Sequence, residues 1–142
     1  MIRGSLSHLD LTVKDLARSA RFYGQILPRL GYRPAPELAQ GAPCWVTEDA
    51  EGGAFGIVLV AARAASAEHD RYAPGLHHFA FHADDRADVD AFYAFLREIG
   101  ASILDPPAEY QYTPGYYAVF FADPDGLKLE VVYEPSLRGR TG

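Results

Sequence analysis

Leu6-Ser7-His8-Leu9-Asp10-Leu11 returns as Leu76-His77-His78-Phe79-Ala80-Phe81, each position 70 residues further along a chain of 142. The pattern is kept more than the identities: a histidine holds the third place, and apolar residues at the fourth and sixth flank a small or polar one. The same offset of 70 links Asp15 to Asp85, Phe22 to Phe92, Tyr23 to Tyr93 and Gly56 to Gly126. An offset shared by strand, helix and turn positions marks an internal repeat, which reveals architecture before any single residue does. The chain is therefore read as two related modules, 1–65 and 75–142, with a linker at 66–74.

Within each module the periodicity changes in the same order. Leu6 to Val13 alternates, with Leu9, Leu11 and Val13 on one face and His8, Asp10 and Thr12 on the other, which predicts a half-buried strand. Asp15 offers a helix N-cap, and Leu16, Ala20, Tyr23 and Leu27 follow at helical spacing until Pro28 and Gly31. In the second module Asp84 or Asp85 caps a helix whose stripe is Val89, Phe92, Tyr93, Leu96 and Ile99, with Gly100 after it. Three short strands follow each helix, near 31–37, 43–48 and 54–62, then near 101–105, 116–122 and 127–133. Asp123-Pro124-Asp125-Gly126 reads as the turn before the last strand. The Pro- and Tyr-rich stretch 106–117 reads as a loop. The predicted class is α+β: two βαβββ modules whose curved mixed sheets surround an open-barrel groove, helices outside.

Composition narrows the function. Aromatic and branched apolar residues throughout predict a folded domain, and a chain this long needs no disulfide or metal to fold. Asp and Glu outnumber Lys and Arg by 19 to 13. That excess disfavours nucleic acid and anionic membrane as partners. The longest apolar run, Ala54 to Ala62, is far short of the roughly 20 residues of a membrane span, and the opening residues predict no secretory leader. The single cysteine, Cys44, permits no internal disulfide, so a reducing cytoplasm is the expected location.

The alternation also sorts the polar residues. If the apolar faces of the first strands lie under the helices, His8 and His78 look out of the opposite side. Leu127, Leu129 and Val131 share one face, so Glu130 takes the other. Two imidazoles and one carboxylate could thus converge, a donor set that suits one divalent Fe, Mn, Zn or Ni ion and leaves positions open for substrate. His82 lies on the His78 face. Of the aromatic cluster Tyr110, Tyr112, Tyr116, Tyr117, Phe120 and Phe121, half should be core and the rest could line a pocket, and Tyr116 and Tyr117 must face opposite ways. Tyr112, Tyr117 and His82 are taken as the pocket residues. Cys44 has no neighbouring charge to make it a nucleophile, and no catalytic side chain beyond the ligands is assigned.

Three stretches carry a family resemblance: His8-Leu-Asp-Leu-Thr-Val-Lys-Asp-Leu16 with Ser19, Phe22 and Tyr23; Gly75-Leu-His-His-Phe-Ala-Phe81; and Tyr117-Ala-Val-Phe-Phe-Ala-Asp-Pro-Asp-Gly-Leu-Lys-Leu-Glu130. Together they resemble the vicinal oxygen chelate superfamily of glyoxalase I, fosfomycin-resistance proteins, extradiol dioxygenases and bleomycin-resistance proteins. The resemblance implies paired βαβββ modules around a metal, with ligands on the first strand of each module and the last strand of one or both. His8, His78 and Glu130 match three such positions. His77 is the neighbouring candidate, with its side chain expected under the helix.

The resemblance also implies a small-molecule substrate that chelates the metal, a homodimer, and lyase, isomerase or dioxygenase chemistry. At an offset of 70 the partner of Glu130 is Val60. Glyoxalase I is implied to use a carboxylate there as a fourth ligand and in proton transfer, which valine cannot supply; isomerisation of that type is therefore disfavoured. The alternative is a metal-free protein that binds an antibiotic or aromatic molecule, as the bleomycin-resistance branch is understood to do.

Overall fold

Leu11 and Val13 are buried on one side of a six-residue strand, β1 (His8–Val13), while His8, Asp10 and Thr12 on the other side are exposed. The computed structural model describes residues 2–64 and 67–137, and the chain divides into two units, Met1–Ala67 and Glu68–Gly142. The first unit continues with α1 (Leu16–Arg29), β2 (Arg33–Pro34), a 3-10 turn at Pro36–Ala39, β3 (Cys44–Glu48) and β4 (Ala54–Ala61). The second holds β5 (His78–His82), α2 (Arg86–Glu98), β6 (Ser102–Glu109), β7 (Tyr117–Ala122), β8 (Lys128–Tyr133) and a closing 3-10 turn at Pro135–Leu137. Each unit runs β-α-β-β-β, and the class is α+β.

Local chemistry sets the element ends. Asp15 caps α1 by accepting from the Arg18 N–H at 3.0 Å, and Asp85 caps α2 by accepting from the Asp88 N–H at 2.7 Å. Such caps satisfy N–H groups that the first helical turn leaves without a partner. Gly31 and Gly100, with φ of 85° and 71°, follow the helix ends in the left-handed region where a side chain is disfavoured. The helices bury Tyr23, Ile26 and Leu27 in one unit and Val89, Phe92 and Leu96 in the other. Phe92 packs on Phe121 of β7, with ring centroids 5.8 Å apart. Burying each such side chain contributes about 1.5–3 kcal/mol. None of the helices among the described residues is long and apolar enough to cross a membrane.

The strand orders are β1-β4-β3-β2 and β5-β8-β7-β6. The β1·β4 and β5·β8 pairs are parallel and the others antiparallel, so both sheets are mixed, and neither closes into a barrel.

Several boundaries differ from expectation. β2 shrinks to two residues because Pro34 and Pro36 lack the N–H that a longer ladder needs. β6 instead extends to Glu109, through Pro106 and Pro107, so the predicted loop at 106–117 is confined to the hairpin after it. This is permitted because β6 is an edge strand and its pairing slips between Ile103 and Asp105 and again between Asp105 and Ala108.

The register corrects the repeat at its last strand. His8 stands opposite Gly56 and Asp10 opposite Val58, whereas His78 stands opposite Lys128 and Ala80 opposite Glu130. Two more residues therefore separate β5 from β8 than separate β1 from β4. The counterpart of Glu130 is Val58, not Val60, and Gly56 is a strand residue whereas Gly126 lies in a turn with φ of 81°. Since position 58 is also valine, the first unit still lacks the second carboxylate.

Candidate functional site

Glu130 lies in the middle of β8, and its side chain is only 1% exposed. Its neighbours across the ladders are Ala80 on β5 and Phe120 on β7. Residues two apart on a strand share a face. Glu130 therefore looks out on the side of Lys128, Val132, His78 and His82, opposite the side that α2 covers. Tyr116, Ala118, Phe120 and Val132 form an apolar cluster, with Tyr110 packed against it.

Two groups hold the carboxylate. Nε2 of His78 lies 3.1 Å from Oε2, and the Tyr116 hydroxyl donates to Oε1. Burial pushes the Glu130 carboxyl above its usual range, while the Tyr116 hydrogen bond and the His78 imidazole pull it back. Burial and then the carboxylate push Tyr116 up as well, so its hydroxyl keeps its proton and remains a donor. Nδ1 of His77 and Nδ1 of His78 are 2.7 Å apart, so one ring donates to the other. This allows two consistent proton placements. Donation by His78 leaves its Nε2 lone pair free to bind a cation beside Oε2; donation by His77 leaves His78 as a hydrogen-bond donor to Glu130.

The donor set can be tested against a metal. A first-row divalent ion binds imidazole nitrogen and carboxylate oxygen at about 2.0–2.2 Å, so two donors sharing one ion at right angles lie about 3 Å apart. The separation of 3.1 Å meets that requirement. The chemistry fits too, since a buried carboxylate is costly to ionise without a positive partner. Within either unit, among the described residues, no three His, Cys, Asp or Glu side chains gather as a ligand cluster.

The structure thus brings together His78 and Glu130 of the expected set. His8 lies on β1 of the first unit, exposed, with Nδ1 3.0 Å from the Ser7 hydroxyl. It borders a cavity of about 550 Å³ on that unit's sheet, where Gly56, Val58 and Val60 adjoin Cys44 and Asp10. Burial, with Glu37 and Asp10 adding to it, pushes the Cys44 thiol up, which keeps it an unreactive thiol.

The pocket residues fare differently. His82 is exposed on the His78 face of β5. Tyr112, 66% exposed, stacks on Tyr110 with centroids 5.4 Å apart, in a hairpin that lines a cavity of about 390 Å³. Tyr117 is a correction: its hydroxyl donates to Asp90 of α2 at 2.6 Å, and the Arg86 guanidinium sits over its ring at 4.2 Å. It belongs to the helix side of the sheet, and Tyr116 is the tyrosine that reaches Glu130. Strand parity carried the signal, because Phe120 pairs with Glu130 and even-numbered residues around β7 share its face. His77 is a second correction. It precedes the first ladder residue, so strand alternation does not govern it, and it lies exposed beside His78 rather than under α2.

Two β-α-β-β-β units with mixed sheets, one carrying a buried carboxylate against an imidazole, define a two-module α+β protein of the glyoxalase kind. The chain belongs to the Glyoxalase/Bleomycin resistance protein/Dioxygenase superfamily, whose model matches residues 5–131. It is 34% identical over 130 residues to the uncharacterized protein YqjT of Bacillus subtilis (strain 168), covering 89% of this chain and 97% of that protein. Among solved structures it is similar to a candidate glyoxalase from Bacillus halodurans, with a TM-score of 0.72, 29% identity, and coverage of 93% of this chain and 97% of that one. It is also similar to a glyoxalase/bleomycin resistance protein from Albidiferax ferrireducens T118, with a TM-score of 0.65, 25% identity, and coverage of 91% and 98%.

Proposed function

We propose that this protein is a divalent-metal-dependent enzyme of the glyoxalase/dioxygenase type, acting on a small oxygen-bearing substrate that chelates the metal. One observation carries the reading: the buried Glu130 carboxylate faces His78 Nε2 at 3.1 Å, a donor pair spaced to share one cation. His78 Nε2 and Glu130 Oε2 would hold the ion. A bound ion supplies Lewis-acid polarisation of substrate oxygens. Tyr116 occupies Oε1 and so keeps Oε2 turned toward His78. With the ion bound, His78 Nδ1 would donate to His77, 2.7 Å away, and so fix the tautomer with a lone pair on Nε2, as partners of metal-bound histidines commonly do. His8 is proposed as a further ligand on the family resemblance, and a homodimer on the same ground.

The metal content of untagged protein, dialysed without chelator and measured by inductively coupled plasma mass spectrometry, tests the reading. About one Fe, Mn, Ni or Zn ion per chain is expected, lost in His78→Ala and Glu130→Gln, and His8→Ala tests the third ligand. A second reading, a metal-free small-molecule binder, is favoured by the direct His78–Glu130 contact, which satisfies both groups without a cation. Protein that stays metal-free after incubation with each ion would make that reading the first.

A further inference from the structure

Lys128 is the only lysine of the second unit and has no carboxylate partner among the described residues. It stands opposite His78 on the parallel β5·β8 ladder and two residues before Glu130. Adjacent strands lie about 4.8 Å apart and alternate residues share a face, so its side chain rises on the same face as the candidate metal pair. Its ammonium rests over the Phe120 ring, 4.4 Å from the centroid, and the His78 imidazole meets the same ring edge-on at 5.9 Å. One aromatic floor thus carries both the imidazole and an unpaired cation. The ammonium of this half-buried residue, held only by a ring face, keeps its hydrogen-bond donors available.

We infer that Lys128 selects the ligand of this site by charge: it ion-pairs with a carboxylate adjacent to the oxygen that reaches His78 and Glu130. The ligand class is a small 2-hydroxy or 2-oxo carboxylate. A compact ammonium suits this role because it needs no fixed bidentate geometry. The phenyl ring beneath it excludes water from one side and so strengthens the pairing. The inference rests on the metal-dependent reading of the His78–Glu130 pair.

The probes are glycolate and its neutral amide, glycolamide, titrated by calorimetry into the full chain loaded with Zn(II). Zinc content is measured in parallel for the wild type, Lys128→Gln and Lys128→Arg. Lys128→Gln should keep its zinc, bind glycolate about tenfold more weakly and bind glycolamide unchanged, while Lys128→Arg keeps most of the glycolate affinity. Zinc-loaded wild type and Lys128→Gln with equal glycolate affinity, or no glycolate binding by the zinc-loaded wild type, overturns the role of Lys128 and leaves the metal site standing. A wild type that takes up none of Fe(II), Mn(II), Ni(II) and Zn(II) overturns the proposed function and this inference with it; one that takes up another of these ions is titrated with that ion in place of zinc.

Discussion

Glu130 has almost no access to water, and its ionised form depends on two neighbours, the Tyr116 hydroxyl and the His78 imidazole. Tyr116→Phe removes one of them and leaves a buried acceptor without its donor. The expected cost is about 1–2 kcal/mol in urea denaturation, together with weaker metal retention; unchanged stability and retention would show that Tyr116 is only packing. The pH dependence of the chelator-treated protein has a definite sign. Burial holds the folded Glu130 carboxyl above its unfolded value of about 4.3. Its contribution to stability is therefore fully present when the group is protonated, and is lost as pH rises through the folded value. Glu130→Gln cannot ionise, so its stability should fall less than that of the wild type on the alkaline side. Parallel stability curves for the two proteins between pH 4 and pH 8 would contradict this account.

Among the elements, the β7–β8 hairpin sets where Glu130 points. Its turn is organised by Asp123, whose carboxylate accepts from the N–H groups of Asp125 and Leu127, each at 2.9 Å. Asp123 is itself only 6% exposed, so deleting its side chain leaves two N–H donors without their acceptor, that of Leu127 buried and that of Asp125 partly so. Asp123→Ala should cost about 1–3 kcal/mol, and Asp85→Ala at the α2 cap about 1 kcal/mol, both measurable by thermal or urea unfolding. The Tyr117–Asp90 bond and the Arg86–Glu109 ion pair at 2.5 Å tie α2 to its sheet from the opposite face. They hold the helix against the sheet face opposite Glu130.

For the whole molecule, ligand linkage gives the expected signature of a metal protein. An ion that binds only the folded chain stabilises it by about 2.7 kcal/mol at one hundred times its dissociation constant. Zinc should therefore raise the melting temperature of the wild type and leave that of Glu130→Gln unmoved. An equal rise in both would point to metal held elsewhere. The proposed homodimer predicts a scattering mass about twice 15.6 kDa that is stable on dilution; a mass of one chain would remove it.

The repeat, the order of elements, the helix caps and the facing of Leu11, Val13, His8 and Glu130 were legible in the sequence. They follow from local rules: alternation in strands, a 3.6-residue period in helices, and side chains that satisfy the first N–H groups of a helix. What the sequence could not carry was register and reach. Val58 rather than Val60 stands as the counterpart of Glu130 because two extra residues fall between β5 and β8, a difference that appears only once the strands pair. Pro106 and Pro107 read as a loop, yet an edge strand with slipped pairing accepts them. Tyr116 and Tyr117 were known to face opposite ways, but which one met Glu130 depended on Phe120 pairing with it. The contacts of Glu130 with His78, 52 residues away, and of Lys128 with Phe120 are likewise tertiary facts. They arise because the parallel β5·β8 ladder and the antiparallel β7·β8 ladder bring distant residues to one face, where hydrogen bonding and burial act on groups that no local pattern links.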